Sequence, residues 1–181
     1  MSLIEHLKQI EDYRAPRGRR YPLWLMILLA ILGTMSECYG YAALEDFCVR
    51  HYCTLCQCFG IEVPRLPSDS TFRRLFEQFD FERVVSAFNA WSGVQMPITE
   101  GDGLAIDGKS IKGTLSHYRA SYQNFVNVVS VYSHQHGVVV ALKQFENKAT
   151  SELSVVQTLL ETLQVSGVVF TMDALHAQKN D

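Results

Sequence analysis

The sequence lacks an excess of positive charge. Sixteen Lys and Arg residues stand against 19 Asp and Glu residues, which gives a formal net charge of −3. Proteins that attract nucleic acid through their overall field are basic, so DNA could be contacted here only through local clusters of arginine or lysine. Internal repeats and low-complexity segments are also absent, and 48% hydrophobic against 19% charged residues argue against disorder.

A long apolar run is missing as well. The most apolar stretch, Leu23–Leu32, is about ten to twelve residues long, well short of the roughly 20 residues that span a bilayer. The basic residues before it are reminiscent of a signal peptide, but no clear small-residue cleavage site follows. We therefore interpret the stretch as a buried core helix and expect a cytoplasmic protein without membrane contact.

Cysteine is missing from most of the chain and is confined to one segment. Five cysteines occur, all between residues 38 and 58, and their odd number favours free thiols of a reducing compartment. Cys53, Cys56 and Cys58 with His51 could hold zinc, but a structural zinc site usually needs a second, distant ligand pair, and none stands out. Small apolar fillers on a helix and a loop are the more economical interpretation.

The first half of the chain shows the periodicity of amphipathic helices. Ser2 and Glu5 form a capping-box pattern at the start of the first one. The apolar spacing and the Pro and Gly residues then predict helices over residues 3–12, 22–35, 40–51, 70–79 and 81–92, with loops over 13–20 and 57–67.

Two arginine clusters lie in this helical half and could contact DNA phosphates. The first is in the loop over 13–20, and the second is at the start of the helix over 70–79, where it could serve a helix-turn-helix formed with residues 40–51. Solvated arginines, paired with Glu11 and Asp12 or simply exposed, are the alternative. The candidate DNA-binding residues of this half are Arg14, Arg17, Arg19, Arg20, Arg73 and Arg74.

The pattern changes after a loop over residues 93–103. Short apolar runs predict a first strand over 103–107, or to 112, then a polar loop over 113–123 and further strands. The complete order is strand, strand, strand, helix, strand, which predicts an antiparallel meander followed by a crossover helix that returns the last strand parallel to the first. The later elements are predicted over 124–133, 138–145, 152–163 and 168–172.

Two aspartates stand out in these strands. Asp107 interrupts the apolar first strand and Asp173 follows the last one. Buried carboxylates are rare unless they are paired or bind a metal, and the parallel crossover would bring these two side by side. A divalent cation such as Mg²⁺ would relieve their repulsion, and Lys109 and Lys112 could contact DNA nearby. Alternatively, Asp107 caps a turn with Gly108 and Asp173 caps a helix.

Several motifs together resemble the insertion-sequence transposases of the DDE superfamily that include the H-repeat-associated proteins. The resemblance covers essentially the whole chain. The stretches that carry it are Gly18–Tyr21 with the apolar helix after it, Pro67–Arg74, Ala105–Ser110, Ser133–Gly137 and Phe170–His176.

The resemblance implies an α+β protein, with a helical transposase-associated domain over residues 1–95 and an RNase H-like catalytic domain over 100–181. It also implies that Asp107 and Asp173 are the first two catalytic acids, binding Mg²⁺ or Mn²⁺ for strand cleavage and transfer at transposon ends. The family's third acid is a glutamate after a fifth strand, beyond Asp181. Glu152 and Glu161 precede the second acid and do not match it.

The resemblance therefore leads us to expect the N-terminal part of a transposase that is inactive alone. Its expected partners are transposon-end DNA and a second copy or a full-length transposase. The alternative is a non-catalytic module for DNA binding or dimerisation that interferes with the full-length enzyme.

Overall fold

A computed structural model describes residues 1–116, 124–146 and 152–172 of the chain. These residues form seven α-helices, one 3₁₀ turn and a four-stranded mixed sheet, which confirms the predicted α+β class. The chain divides into two compact units, residues 2–84 and the residues from 85 onward together with Met1. No helix within the described residues has the length and apolar character needed to cross a lipid bilayer.

The first unit is built from helices. Its helices are α1 (Leu3–Lys8), α2 (Leu23–Met35), α3 (Tyr41–Arg50), α4 (Tyr52–Phe59) and α5 (Asp69–Phe76), with a 3₁₀ turn over Pro16–Gly18. Helix α6 (Glu82–Gln95) begins at the end of this unit and continues into the second.

Helix α2 lies at the centre of the first unit, as its apolar sequence predicts. Leu25, Met26 and Leu29 are fully buried, because helices pack around this one instead of leaving one side to solvent. Gly33 allows the close approach of α3, since a Cβ atom at this position would lie 2.5 Å from Leu44 Cδ2. A larger residue at position 33 would require the Leu44 side chain to move away.

Three expectations for this unit need correction. Helix α1 has the predicted capping box, but it ends at Lys8 and not at residue 12, because Asp12 is engaged by Arg14 in the following loop. The predicted loop over 57–67 is helical up to Phe59, where Gly60 adopts a left-handed conformation and ends α4.

The third correction concerns the helix-turn-helix. Helices α3 and α5 pack against each other, but α4 and a loop separate them in the chain. A helix-turn-helix joins its two helices by a turn of about three to four residues, so this motif is not formed.

The second unit contains the sheet. It comprises β1 (Gly103–Ser116), β2 (Asn124–Ser133), β3 (Val138–Glu146), α7 (Glu152–Leu163) and β4 (Val169–Met172). The strand order is β3-β2-β1-β4, with β1–β2 and β2–β3 antiparallel and β1–β4 parallel. The predicted meander and crossover are thus confirmed.

Strand β1 is longer than predicted. It continues to Ser116, which pairs with Asn124 across an irregularity that follows Ile111. The first residues of the predicted loop over 113–123 therefore belong to the strand, and residues 117–123 lie outside the described part of the chain.

One face of this sheet forms the core of the second unit. Leu104 and Ile106 of β1 and Val129 and Val131 of β2 are at most 4% exposed, and they cluster with the buried side chains of α7. Positions that alternate with them point to the other face, as the period of two in a strand requires.

Helix α6 covers the outer edge of β3 with polar side chains. The Asn89 amide donates to the carbonyl oxygen of Leu142 at 2.8 Å and accepts from its N–H at 2.9 Å. The buried Ser92 hydroxyl donates to the carbonyl oxygen of Val140. These bonds satisfy backbone groups that an outer strand otherwise leaves to solvent or to another strand.

Candidate functional site

Asp107 is exposed, which corrects the expectation of a buried carboxylate. Its neighbours in β1, Ile106 and Leu104, point into the core, so the alternation of the strand directs Asp107 to the opposite face. An exposed carboxylate has no desolvation cost to be offset by a metal. The case for a functional Asp107 therefore rests on its position beside β4.

The parallel pairing of β1 and β4 leads directly to the two predicted acids. The Cα partners are Gly103 with Val169 at one end and Ile106 with Met172 at the other. Asp107 is the next residue after Ile106, and Asp173 is the next residue after Met172. Asp173 itself lies outside the described residues.

The surroundings of Asp107 leave its carboxylate available. Ser130 is its Cα partner on β2, and the Ser130 hydroxyl donates to the backbone oxygen of Asp107 at 3.4 Å, not to its side chain. No described residue forms a hydrogen bond or an ion pair with the Asp107 carboxylate. Lys109 is exposed two positions further on the same face, and Lys112 lies farther along the strand.

A carboxylate of this kind is a suitable Mg²⁺ ligand, since hard cations prefer oxygen donors. Within the described residues, however, no group of three or more His, Cys, Asp or Glu side chains is placed to hold a metal ion. The cysteines are free, and burial raises the pKa of the Cys48 thiol to about 12, with the Glu45 charge adding to it.

The predicted DNA-binding arginines of the first unit fall into two kinds. Arg14 and Arg19 are engaged in holding the loop together. Arg14 donates to both carboxylate oxygens of Asp12, at 2.8 and 2.7 Å, and to the carbonyl oxygen of Tyr21 at 2.7 Å. Arg19 donates to the carbonyl oxygens of Arg14 and Asp12 at 2.6 and 2.9 Å. Because Arg14 hydrogen-bonds to it, the pKa of the Asp12 carboxyl is lowered.

Arg17, Arg20 and Arg74 are of the second kind and line, together with Arg14 and Arg65, one cleft of about 410 Å³, which we call the basic cleft. Arg73 points elsewhere and pairs with Asp69 at 3.6 Å on the surface of α5. The basic cleft is lined by Arg14, Arg17, Arg20, Arg65 and Arg74, together with Gly18, Tyr21, Ser68, Ser70, Thr71 and Leu75.

Arg65 is a member of this cluster that the sequence did not reveal. It lies in the loop before α5, between Pro64 and Leu66, and nothing in its spacing connects it with the loop over 13–20. The connection is made by Tyr21, whose hydroxyl donates to the Arg65 carbonyl oxygen at 2.9 Å.

A second residue that the sequence did not reveal is Asp102, whose 2% exposure makes it the buried carboxylate of this region. The Ser133 hydroxyl donates to it at 2.6 Å and the N–H of Gln135 at 3.0 Å. The hydrogen bond from Ser133, followed by that from Gln135, lowers the pKa of the Asp102 carboxyl. The backbone oxygen of Asp102 also accepts from Val169 N–H at 3.0 Å, so Asp102 fixes the β2–β3 turn and the start of β4 against β1.

Comparison with known proteins gives one family match. Residues 4–92 match the family described as DDE_Tnp_1-associated. This segment covers the described helices from α1 through most of α6 and contains every arginine of the basic cleft.

Relatives with similar sequences cover almost the whole chain. The "H repeat-associated putative transposase YhhI" of Escherichia coli K12 is 27% identical over 178 residues, which are 98% of this chain and 46% of the relative. The "H repeat-associated putative transposase YbfD" of the same strain is 26% identical over 98% of this chain and 69% of the relative.

A third relative, the "Putative transposase YncI" of Escherichia coli O157:H7, is 26% identical over 99% of this chain and 45% of its own length. The chain thus spans about half the length of YhhI and of this YncI. No solved structure matches the chain.

Proposed function

Since residues 4–92 match the DDE_Tnp_1-associated family, we propose that this protein is a DNA-binding component of a DDE-type transposition system. Its second unit is RNase H-like and supplies Asp107 and Asp173 as the first two acids of a metal site. Transposon-end DNA is the proposed ligand of the first unit and of Lys109 and Lys112.

The observation that carries this proposal is the register of β1 with β4. The last Cα partners are Ile106 and Met172, and each is followed in the sequence by one of the two aspartates. A parallel ladder that extends by one residue brings equivalent positions side by side, at the distance between neighbouring strands of roughly 4.8 Å. Two carboxylates at this separation repel each other, and a bound cation would remove the repulsion.

Mg²⁺ or Mn²⁺ held by Asp107 and Asp173 would neutralise the carboxylates and orient a DNA phosphate for strand cleavage. The chain's own part is to present the Asp107 carboxylate on a rigid central strand, free of competing partners within the described residues. Asp102 and Ser133 support this arrangement because their hydrogen bonds fix the start of β1.

We further propose that the 181 residues do not cleave DNA by themselves. A second ion of a two-metal site needs an additional carboxylate, and the described residues place no third acid with Asp107. Incubation of the purified chain with Mg²⁺ and element-end DNA should therefore give no strand cleavage. Robust cleavage that depends on Asp107 would contradict this part of the proposal.

Metal binding tests the acid pair directly. Titration of Mn²⁺ into the purified chain, followed by electron paramagnetic resonance, should show weak binding that is lost in both Asp107→Asn and Asp173→Asn. Glu161→Gln, at an exposed position of α7, is the matched control and should bind like the unsubstituted chain. Equal binding by all four proteins would refute the acid pair.

The basic cleft favours one second candidate, a non-catalytic DNA-binding or dimerising module that competes with a full-length transposase. All five arginines of the cleft belong to the family-matched segment and none to the strand unit. If this alternative is correct, substitution of the two aspartates changes no activity of the protein. Its inhibition of a full-length transposase in a transposition assay would then depend only on the arginines.

A further inference from the structure

The basic cleft contains more positive charge than its surroundings neutralise. Five arginines line it, and no Asp or Glu is among its lining residues in the described part of the chain. Asp12 forms an ion pair with Arg14, but it does not neutralise the charges of the other four arginines. Unpaired guanidinium groups that converge on one cavity repel each other, so the arrangement favours an anionic ligand.

The arginines that brace the cleft differ from those that are free to bind. Arg14 has only 10% of its side chain exposed and is held by Asp12 and by the Tyr21 carbonyl oxygen. Arg17, Arg65 and Arg74 are exposed and form no ion pair or hydrogen bond with any described side chain. The Arg20 guanidinium lies 5.6 Å from the Tyr21 ring centroid, which restricts it by a cation–π contact and leaves its N–H groups available.

Two tyrosine hydroxyls fix the two walls of the cleft relative to each other. One wall is the loop over 14–21, and the other is the segment over 65–75. Tyr21 is 3% exposed, and its hydroxyl joins the walls through the Arg65 carbonyl oxygen. Tyr13 makes an equivalent link, because its hydroxyl donates to the Leu75 carbonyl oxygen at 2.8 Å. The backbone segments that carry the arginines are thus held in place before any ligand arrives, which lowers part of the entropic cost of binding.

Hydroxyl groups complete the polar lining. Ser68 Oγ lies 3.2 Å from Ser70 Oγ and 3.0 Å from Thr71 Oγ1, at the start of α5. Hydroxyls combined with planar guanidinium forks suit the oxygens of a phosphate group, to which arginine can donate two hydrogen bonds at once.

We propose that the basic cleft binds a phosphodiester of the DNA backbone, with Arg17, Arg20, Arg65 and Arg74 as its ligands and Arg14 and Arg19 as braces. The inference rests on the proposed function, in which DNA is the anionic ligand of this unit. It goes further in assigning Arg65 to the site, in removing Arg73 from it, and in predicting contact with the backbone and not with base edges. A phosphate contact carries no sequence information, so the cleft would position DNA without reading it.

The test compares neighbouring arginines on the same surface. Binding of fluorescein-labelled duplex DNA of mixed sequence is followed by fluorescence anisotropy at several salt concentrations. Arg65→Ala and Arg74→Ala should each weaken binding about tenfold, as expected for a lost charge-assisted hydrogen bond, and should reduce the slope of log K against log salt by about one. Arg73→Ala, which removes the same charge one residue away, should bind within about twofold of the unsubstituted chain because Arg73 is paired with Asp69.

Folding defects are separated from ligand loss by two further measurements. Arg65 contributes its backbone oxygen to the Tyr21 bond, and Arg65→Ala preserves that bond, so its thermal unfolding should match that of the unsubstituted chain. Arg65→Lys retains the charge without the fork, and its affinity should fall between those of Arg65 and Ala. Equal DNA affinities for Arg65→Ala, Arg74→Ala and Arg73→Ala would overturn the inference and leave the proposed DNA binding intact.

The outcomes also distinguish the sources of the phosphate. Scrambling the duplex sequence should leave the effect of Arg74→Ala unchanged, and a strong dependence on sequence would contradict backbone contact. If the chain binds no duplex even at low salt, but inorganic phosphate raises its melting temperature in an Arg65- and Arg74-dependent manner, the ligand is a free anion. That result would overturn both the DNA assignment of the cleft and the DNA binding of the proposed function. The metal test of Asp107 would still stand.

Discussion

The Tyr21 hydroxyl donates a hydrogen bond to the carbonyl oxygen of Arg65 at 2.9 Å, across 44 positions of the sequence. The bond joins the arginine-rich loop to the segment that leads into α5. Because the Tyr21 ring is buried, water cannot easily replace the bond when it is lost.

Tyr21→Phe should therefore reduce both stability and DNA affinity. We expect a loss of about 1–2 kcal/mol in the free energy of unfolding, measured by urea denaturation, since the Arg65 carbonyl oxygen loses its donor. Tyr39→Phe is the control, because Tyr39 is 73% exposed and its substitution should leave stability unchanged. A Tyr21→Phe chain with unchanged stability and DNA affinity would show that the two walls are held without this bond.

Asp107→Asn should leave the stability of the fold unchanged within about 0.5 kcal/mol, since Asp107 is exposed and its side chain has no described partner. The same substitution should abolish Mn²⁺ binding. Urea denaturation and metal titration of one preparation check both statements. A large loss of stability would mean that Asp107 has a structural role within the sheet.

The stability of the second unit should fall in acid because of Asp102. The hydrogen bond from Ser133 holds the folded-state pKa of Asp102 below its ordinary value of 3.8, so the unfolded chain takes up the proton first as the pH falls. The contribution is therefore complete above about pH 4 and is lost as the pH falls through the folded-state pKa.

Ser133→Ala should weaken this acid dependence, because the pKa of Asp102 moves back toward 3.8. The effect is measured as the difference in melting temperature between Ser133→Ala and the unsubstituted chain, at pH values between about 5 and about 2. Asp12, whose pKa is lowered by Arg14, titrates in the same range in both proteins and cancels in the difference. Parallel curves for the two proteins would contradict a role for the Ser133 bond.

The cysteines should differ sharply in reactivity. Cys48 is 1% exposed, so a reagent in solution does not reach its thiol. Burial also raises the pKa of this thiol to about 12, so almost no reactive thiolate is present at neutral pH. Cys53 and Cys58 are exposed. Alkylation of the native chain with iodoacetamide, followed by peptide mass spectrometry, should modify Cys53 and Cys58 and spare Cys48, whereas urea should expose all five. Early modification of Cys48 would indicate that α3 opens readily.

The regular elements could be predicted because their patterns are local. The apolar face of α5, the long apolar stretch of α2 and the short apolar runs of β2 and β3 each identify an element without knowledge of the rest. Helix α4 is not predicted by the sequence, because Cys53, Cys56 and Cys58 suggest a ligand set or a loop more readily than a helix. The exposure of Asp107 follows from its alternation with Leu104 and Ile106, but an apolar strand that contains one aspartate also fits a buried carboxylate, and the sequence alone does not show which face the core covers.

The basic cleft was only half predictable. The arginines at 14–20 and at 74 stand out in the sequence because they are clustered. Arg65 is single, and its membership depends on the Tyr21 bond, which brings distant segments together. Asp102, between two glycines, has the appearance of a loop residue, and only the fold shows that Ser133 and Gln135 surround it.

The amide of Asn89 occupies the place that a neighbouring strand would take beside Leu142, and Ser92 does the same beside Val140. The sheet is thereby closed to intermolecular growth along β3 by its own helix. In the described part of the chain the other outer strand is β4, which exposes Val169 and Met172 and has no such cover. Strand-to-strand association of this protein, during folding or at high concentration, would therefore join two chains through β4 and go no further, and a charged residue introduced into β4 should weaken it.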